Sequence, residues 1–537
     1  MPTVAAGPPP QQPVTDDGEA PSAGSVWVPI ASVVGVITLA IWNSMHKSLW
    51  IDEAYSLHTA HRSLAATLHQ ALHFELQPPL YFLLLNLWMR IGSPTVSWMR
   101  VLSTLCVVGC VLFLWATRAR YAPRRGVPPS ILAVVTGTVV WAAAEARPYA
   151  LAIFFSALTM YFFVRILDRR HSRSWIDATL YAIGAIAGVL TFYYVGFLLA
   201  GQWLAAAAVQ RGRRWLTISL AVVGIALVPW LSVVQEQLTS NINPAPAVVL
   251  QPAMQYLAGD PSISLPSAFL AGVFGDAPVL TQTSFGTVII GTLLLFVVAT
   301  RFLIPDRSDA ATAPPLVTAA GEDTSHRWLE PALFVALAVP TACLLGMQWS
   351  KVVSVYPRHL VCLTPAFILM VTLWTGKVAP GIPRWAASAA VGAAAVLTLI
   401  SYERHVDVAD SRGAAAYVAA HGSPNEPILV VGPETVLPFR YYYGDIDQGR
   451  ATVLGVPIDA SLDVYDPNLF ELRDTSQIGS QVRAAGVQNQ FWLVVAQGFV
   501  WHTLPADSIV TSYIRNRTTV LDSTTFTNMY VIHAVKR

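Results

Sequence analysis

Two acidic side chains, Asp52 and Glu53, stand a few residues beyond the first long apolar run, and Glu75-Leu76-Gln77-Pro78-Pro79-Leu80-Tyr81 follows in the same loop. Carboxylates at the edge of an apolar, lipid-facing chain are costly to keep there and so mark a functional site. A carboxylate facing outward near a membrane surface can take the proton of an acceptor hydroxyl as general base. The alternative is a pair of solvated acids that merely ends the first span. The neighbours Leu49-Trp50-Ile51 and Ala54-Tyr55 are apolar or aromatic, which favours chemistry. Glu75 and Gln77 precede two prolines, whose fixed φ and missing amide hydrogen rigidly aim the side chains before them. That corner could hold a divalent cation (Mg, Mn or Ca) through Glu75, alone or with His73; the same prolines also read as a plain helix start.

Three arginines complete the candidate set. Arg100 opens an apolar segment, Glu145-Ala146-Arg147-Pro148-Tyr149 links two others, and Tyr356-Pro357-Arg358-His359-Leu360 opens a late one. Arginine pairs with a carboxylate or grips a phosphate through two parallel bonds. Arg358, with Lys351 as helper, suits the phosphate of a polyprenyl-phosphate headgroup. A structural Glu145–Arg147 ion pair and a snorkelling Arg358 are the plainer alternatives. Tyr193 and Tyr194 fit an interfacial aromatic belt. The chain has no phosphate-cradling or dinucleotide glycine loop, no zinc-protease helix and no nucleophile elbow. A nucleotide cofactor is therefore not expected, and a group donor should come from the membrane.

The elements that must position these residues follow from composition. Of 537 residues, 54% are hydrophobic and 12% charged, against about 25% charged in an ordinary soluble domain. This is a polytopic α-helical membrane protein. The net charge of +2 gives no reason to expect a nucleic-acid partner. Cys106, Cys110, Cys343 and Cys362 lie in or beside apolar runs, and the first two read as small buried hydrophobes. Residues 1–25 form a disordered tail rich in Pro, Ala and Gly, and lack the basic start of a signal peptide. About eleven spans are expected, at 26–46, 100–117, 129–145, 149–166, 175–193, 195–210, 215–233, 285–303, 329–348, 360–376 and 385–402.

The arginine clusters at 118–125, 165–173 and 211–214 recur every second loop, which puts them and the N-terminus in the cytoplasm. That register requires residues 78–91 to be an interfacial or re-entrant helix within a first external loop, 47–99, and residues 58–73 a second helix along the surface. Residues 403–537 lose the long apolar runs. Helix periodicity over 412–421 and strand-like runs at 427–432, 490–496 and 530–535 predict a small α/β domain, lying outside the plasma membrane because an odd number of spans precedes it.

With these residues in view, the chain resembles the GT-C superfamily of polytopic glycosyltransferases, in the branch of protein O-mannosyltransferases and aminoarabinose transferases. The pieces that carry the resemblance are Trp50-Ile-Asp52-Glu53-Ala-Tyr55, Pro78-Pro79-Leu-Tyr81, Arg100-Val-Leu-Ser, Glu145-Ala-Arg147-Pro-Tyr149 and Tyr356-Pro-Arg358-His359-Leu. The resemblance implies a polyprenyl-phosphate sugar donor, an extracytoplasmic site, Asp52 as base with Glu53 in support, and Arg358, Lys351 and Arg147 as candidate phosphate ligands. Tyr55, Glu75, Gln77, Tyr81, Arg100, Glu145, Tyr149 and His359 would bind substrate or hold the site together. Where relatives carry Asp, His and Tyr, this chain has Glu75, Gln77 and His359. Ala- and Arg-rich usage with few lysines points to a high-GC actinobacterial source. The donor would then be decaprenyl-phosphate mannose or arabinose, and the acceptor a cell-envelope glycan, glycolipid or protein. A membrane transporter or lipid flippase is the alternative; it predicts charges in mid-membrane and repeated broken helices.

Overall fold

The computed structural model describes residues 24–121, 127–168, 174–241, 328–349, 357–377, parts of 386–396, 409–423, 426–447, 453–457, 472–487, 489–496 and 506–537. The tail before residue 24, Lys351, Tyr356, the expected span 285–303 and nearly all of 385–402 lie outside them.

The helical part begins with α1 (Gly24–His46), α2 (Ile51–Ala60), α3 (Leu64–His73), α4 (Leu80–Ile91) and α5 (Val96–Tyr121). After these come α6 (Pro129–Val135), α7 (Gly137–Ala143), α8 (Tyr149–Leu167), α9 (Ser174–Thr191), α10 (Val195–Val209), α11 (Arg213–Leu227) and α12 (Leu231–Asn241). The later helices are α13 (Leu329–Trp349) and α14 (Thr364–Lys377), the latter entered through a 3-10 turn at Pro357–Leu363. Among the described residues, six helical stretches are long and apolar enough to cross a membrane: Val26–His46, Val96–Tyr121, Tyr149–Leu167, Ser174–Thr191, Arg213–Gln237 and Arg358–Gly376. Leu80–Ile91, Val195–Ala208 and Leu329–Leu344 are apolar but shorter.

Three expected segments are interrupted. Residues 129–145 are two short helices, because Thr136 is extended (φ −84°, ψ 114°) and its hydroxyl donates back to the Leu132 carbonyl at 2.6 Å. Residues 215–233 cross a 3-10 turn at Val228–Trp230, where Pro229 withholds a backbone donor. The surface helix expected over 58–73 is instead α2 and α3. Ser63 caps α3 by accepting from the Ala66 amide, and the Asn86 side-chain amide on α4 donates to the carbonyls of Ala60 and Arg62, at 2.7 Å each.

The long helices give the molecule two ends. Arg118 and Arg120 close α5, Arg165 closes α8, and the tight turn at Gly212 before α11 packs on Ile166 at that same end. Arg100 at the start of α5, Arg147 just before α8 and Arg358 before α14 lie at the other.

The C-terminal part is a five-stranded sheet in the order β2-β1-β3-β5-β4. The strands are β1 (Ile428–Val431), β2 (Val453–Val456), β3 (Gln490–Ala496), β4 (Thr518–Phe526) and β5 (Met529–Lys536). The first three pair in parallel, and β5 and β4 add an antiparallel hairpin. β1 is buried along its whole length, as a strand covered on both faces must be. One face carries α15 (Ser411–His421) and α16 (Pro433–Asp447), packed through Val418, Val436, Phe439 and Tyr443. The other carries α17 (Thr475–Ala484) and α18 (Ala506–Arg517), packed through Ile478, Val482, Ile509 and Val510.

Candidate active site

α2 starts at Ile51 behind Trp50, which places Asp52 and Glu53 in its first turn, where the helix dipole favours negative charge. Consecutive helical residues diverge by about 100°, so the two acids face different surroundings. Glu53 is fully buried. Arg100 forks onto it, Nε donating to Oε1 at 2.8 Å and Nη2 to Oε2 at 2.6 Å, and the Ala146 amide donates to Oε1 at 2.8 Å. The remaining donors of Arg100 go to the carbonyls of Ser44, Lys47 and Ser48 at 3.3, 3.0 and 3.2 Å. Glu53 therefore joins α1, α2, α5 and the turn before α8. It has no exposed surface, and its contacts tie these elements together.

Asp52 is the open acid, with 24% of its side chain exposed. Two guanidiniums flank it at distances too long for good hydrogen bonds: Nη2 of Arg147 at 3.9 Å and Nη1 of Arg358 at 3.8 Å from Oδ2. Arg147 is buried and reaches inward, its Nη1 donating to the Asp52 carbonyl (3.0 Å), the Ser56 hydroxyl (3.0 Å) and Glu75 Oε2 (3.3 Å). Arg358 has 39% of its side chain exposed and forms the outer wall. The alternative of a Glu145–Arg147 ion pair gives way to these contacts. Glu145 is buried with Oε2 lacking a hydrogen-bond partner, and burial, reinforced by Glu53, pushes its carboxyl well above the usual range.

Glu75 turns into the molecule, accepting from Thr59 Oγ1 at 3.1 Å as well as from Arg147. Burial raises its carboxyl, against the pull of Arg147. The corner is tight: Leu76 adopts φ +51°, an unfavourable region for a residue with a branched side chain, and the Gln77 amide closes it onto the Ala71 carbonyl at 3.1 Å. His73 points elsewhere, its Nδ1 lying 3.2 Å from Glu236 on an exposed face. The proposed cation seat therefore does not fit. Glu75 and His73 have separate partners, Arg147 supplies the positive charge between Asp52 and Glu75, and no metal-sized His/Cys/Asp/Glu group exists among the described residues.

The other expected residues surround this core. Tyr81 is buried with its hydroxyl unpartnered, and Tyr55 packs edge-on against Phe74 at 5.4 Å. Tyr149 packs on Trp141 and Phe192. His359 stacks on Tyr194 at 4.4 Å, so Tyr194 belongs to the site wall as well as to any interfacial belt. Lys351 lies outside the described residues. Sequence reasoning passed over Ser56 and Thr59. A helix beginning at Ile51 would have revealed them, since positions 52, 56 and 59 share one face.

Residues 76–234 match the family model of the dolichyl-phosphate-mannose-protein mannosyltransferases. No curated protein matches the chain. Among solved structures the chain is similar to ArnT from Cupriavidus metallidurans in the apo state, with TM-score 0.54 and 13% identity over 95% of this chain and 98% of that one. It is also similar to the archaeal oligosaccharyltransferase AglB from Archaeoglobus fulgidus, with TM-score 0.48 and 10% identity over 88% and 69%. Asp52 and Arg358 fall outside the matched segment, and Glu75 immediately precedes it. The chain thus shares the fold of ArnT, and its residues 76–234 carry the sequence pattern of the mannosyltransferase family model.

Proposed function

We propose that this multi-pass membrane protein transfers a sugar from a polyprenyl-phosphate donor to a hydroxyl of a cell-envelope glycan, glycolipid or protein, with Asp52 as general base. The observation that carries the reading is the contrast within the acidic pair. Glu53 is consumed by Arg100 and Ala146, whereas Asp52 is open and stands between a buried and a half-exposed arginine. A general base needs access to the acceptor proton, and a departing phosphate needs a nearby cation. The family matched over residues 76–234 is named for a polyprenyl-phosphate sugar, which supports the donor class.

In the proposed step the acceptor oxygen attacks the anomeric carbon as Asp52 takes its proton. The bond from that carbon to the phosphate oxygen breaks, and polyprenyl phosphate leaves against Arg358. One displacement inverts the anomeric centre with no covalent intermediate. Mannose and arabinose are the sugars proposed, on decaprenyl phosphate. The site and the α/β domain would face outward from the plasma membrane, opposite the basic ends of α5 and α8.

The test is transfer of label from decaprenyl-phosphate mannose, then arabinose, to an envelope fraction by the purified protein and by Asp52→Asn. Transfer by the wild type and none by a folded Asp52→Asn supports the assignment. Transfer by both removes Asp52 from the chemistry, and no transfer from either donor refutes the sugar assignment.

A further inference from the structure

We infer that the α/β domain sets the position of the general base, with Tyr442 as the positioning residue that connects them; the inference rests on the role proposed for Asp52. Between the end of α1 at His46 and the start of α2 at Ile51 runs a short irregular junction, Lys47-Ser48-Leu49-Trp50. Its inner side is held by Arg100 through the carbonyls of Ser44, Lys47 and Ser48. Its outer side is bonded to residues about 360 to 390 positions later in the chain. The Leu49 amide donates to Tyr442 Oη at 2.7 Å. The Ser48 hydroxyl donates to Asp410 Oδ1 at 2.9 Å, and that same oxygen caps α15 by accepting from the Gly413 amide. Arg412 Nη1 donates to the Met45 carbonyl at 2.9 Å, and its guanidinium lies over the Tyr442 ring at 5.3 Å.

Packing follows the same line. Leu49 is fully buried, and with Ala54 and Val96 it belongs to the apolar cluster formed by Val418, Phe439, Tyr442 and Trp492. The core of the α/β domain thus continues into the turn that carries Asp52, three residues after Leu49. A hydrogen bond to the backbone just ahead of the first helical turn fixes where that turn begins and so which way Asp52 points. Reactions of bound groups are sensitive to such placement, because a small misplacement weakens proton transfer far more than it weakens binding. Arg358 and Tyr149 are carried by the turn before α14 and by α8 rather than by this junction, and the contact from Arg358 to Asp52 is long, so donor binding should change far less than kcat.

Tyr442→Phe tests this. It removes only the hydroxyl and keeps the ring that packs in the cluster and under Arg412. Each variant is measured for kcat and for the Kd of decaprenyl phosphate, and kcat is expressed per donor-binding site so that misfolded protein does not count. The expected result is a fall in kcat of about fivefold, the rate equivalent of one hydrogen bond, with a far smaller change in Kd. Ser48→Ala, which cuts the link to Asp410, should act in the same direction, and the double variant should fall further than either. A kcat at the wild-type level in both single variants, beside an inactive Asp52→Asn, overturns the inference alone. Kd rising in step with the loss of kcat also overturns it, because the domain would then be supporting the whole site rather than the base. Activity retained by Asp52→Asn instead overturns the base assignment beneath it.

Discussion

Replacing Arg100 with lysine should open the active-site end of the protein far more than any other conservative change there. The guanidinium makes five contacts to protein acceptors: both oxygens of Glu53 and the carbonyls of Ser44, Lys47 and Ser48. An arginine side chain has five N–H donors and a lysine three, without the fork geometry. At least two acceptors therefore lose their donor at a site where Arg100 is 4% and Glu53 0% exposed, so water cannot replace it. One lost bond to the carboxylate costs about 1.5–3 kcal/mol and one dry carbonyl about 1 kcal/mol, giving about 2.5–4 kcal/mol in total. A built-in reporter exists, since Cys106 and Cys110 are buried thiols on the same helix as Arg100. Their labelling by a maleimide under native conditions follows the population of the opened state. Arg100→Lys should raise that labelling on the order of 10²–10³-fold. Arg358→Lys is the control, because its contact to Asp52 is long and partly exposed and a pair of that kind contributes roughly 0–1 kcal/mol. Equal labelling in the two variants would refute the claim that Arg100 holds this end together.

Three further outcomes follow from the same geometry. Asp52→Asn should lower kcat by about 10²–10⁴-fold while leaving thiol labelling close to wild type, since its arginine contacts are at 3.8–3.9 Å; a large rise in labelling would reassign Asp52 to structure. Arg358→Lys should lower kcat by about tenfold with a smaller rise in the KM for the lipid donor; an unchanged kcat would remove Arg358 from stabilising the departing phosphate. The third concerns Glu145, whose carboxyl is raised by burial. A folded-state value above the unfolded one gives stability that is complete below the ordinary range near 4.5 and is lost as pH rises through the raised value. Glutamine cannot ionise, so Glu145→Gln should gain on the wild type in labelling protection as pH rises above the ordinary carboxylate range, and a difference independent of pH would refute a raised Glu145 carboxyl.

How much of this was legible in the sequence depended on which signals are local. Apolar run length located α1, α5, α8, α9 and α14, because a span must be apolar along its whole length. The fractures at Thr136 and Pro229 were missed, since hydropathy averages over a single extended residue. In the α/β domain β1, β3 and β5 stand out as apolar runs, the first two of them buried. β4 is Thr- and Ser-rich and largely exposed, and β2 is a short run interrupted by Gly455, so neither carries a strong signal. The candidate site was found by residue type, and Asp52, Glu75, Arg147 and Arg358 do converge. Residue type alone does not say which acid of the pair is open; only the resemblance singles out Asp52. Which one is open depends on where α2 begins, and that is set by contacts with Arg100, Ala146 and Tyr442, all distant in sequence. The same holds for His73, whose partner Glu236 comes from α12.

The position of Arg358 gains meaning from how charge moves in the proposed reaction. A sugar-linked polyprenyl phosphate is a singly charged diester, and its departure leaves a monoester able to carry a second negative charge. That charge develops on the phosphate while Asp52, 3.8 Å from Arg358, is being neutralised by the acceptor proton. The two changes offset each other within reach of one guanidinium. Before reaction Arg358 is shared with a carboxylate, and during reaction that competitor disappears as the phosphate's demand grows. The interaction is thus stronger in the transition state than in the ground state, which is the condition for it to raise kcat. Arg147 donates to Glu75, Ser56 and the Asp52 carbonyl, contacts that hold the Asp52 backbone in place. An arginine forked rigidly onto Asp52, as Arg100 is onto Glu53, would hold the proton acceptor too tightly for this exchange. The long, partly exposed contact seen here is the geometry that permits it.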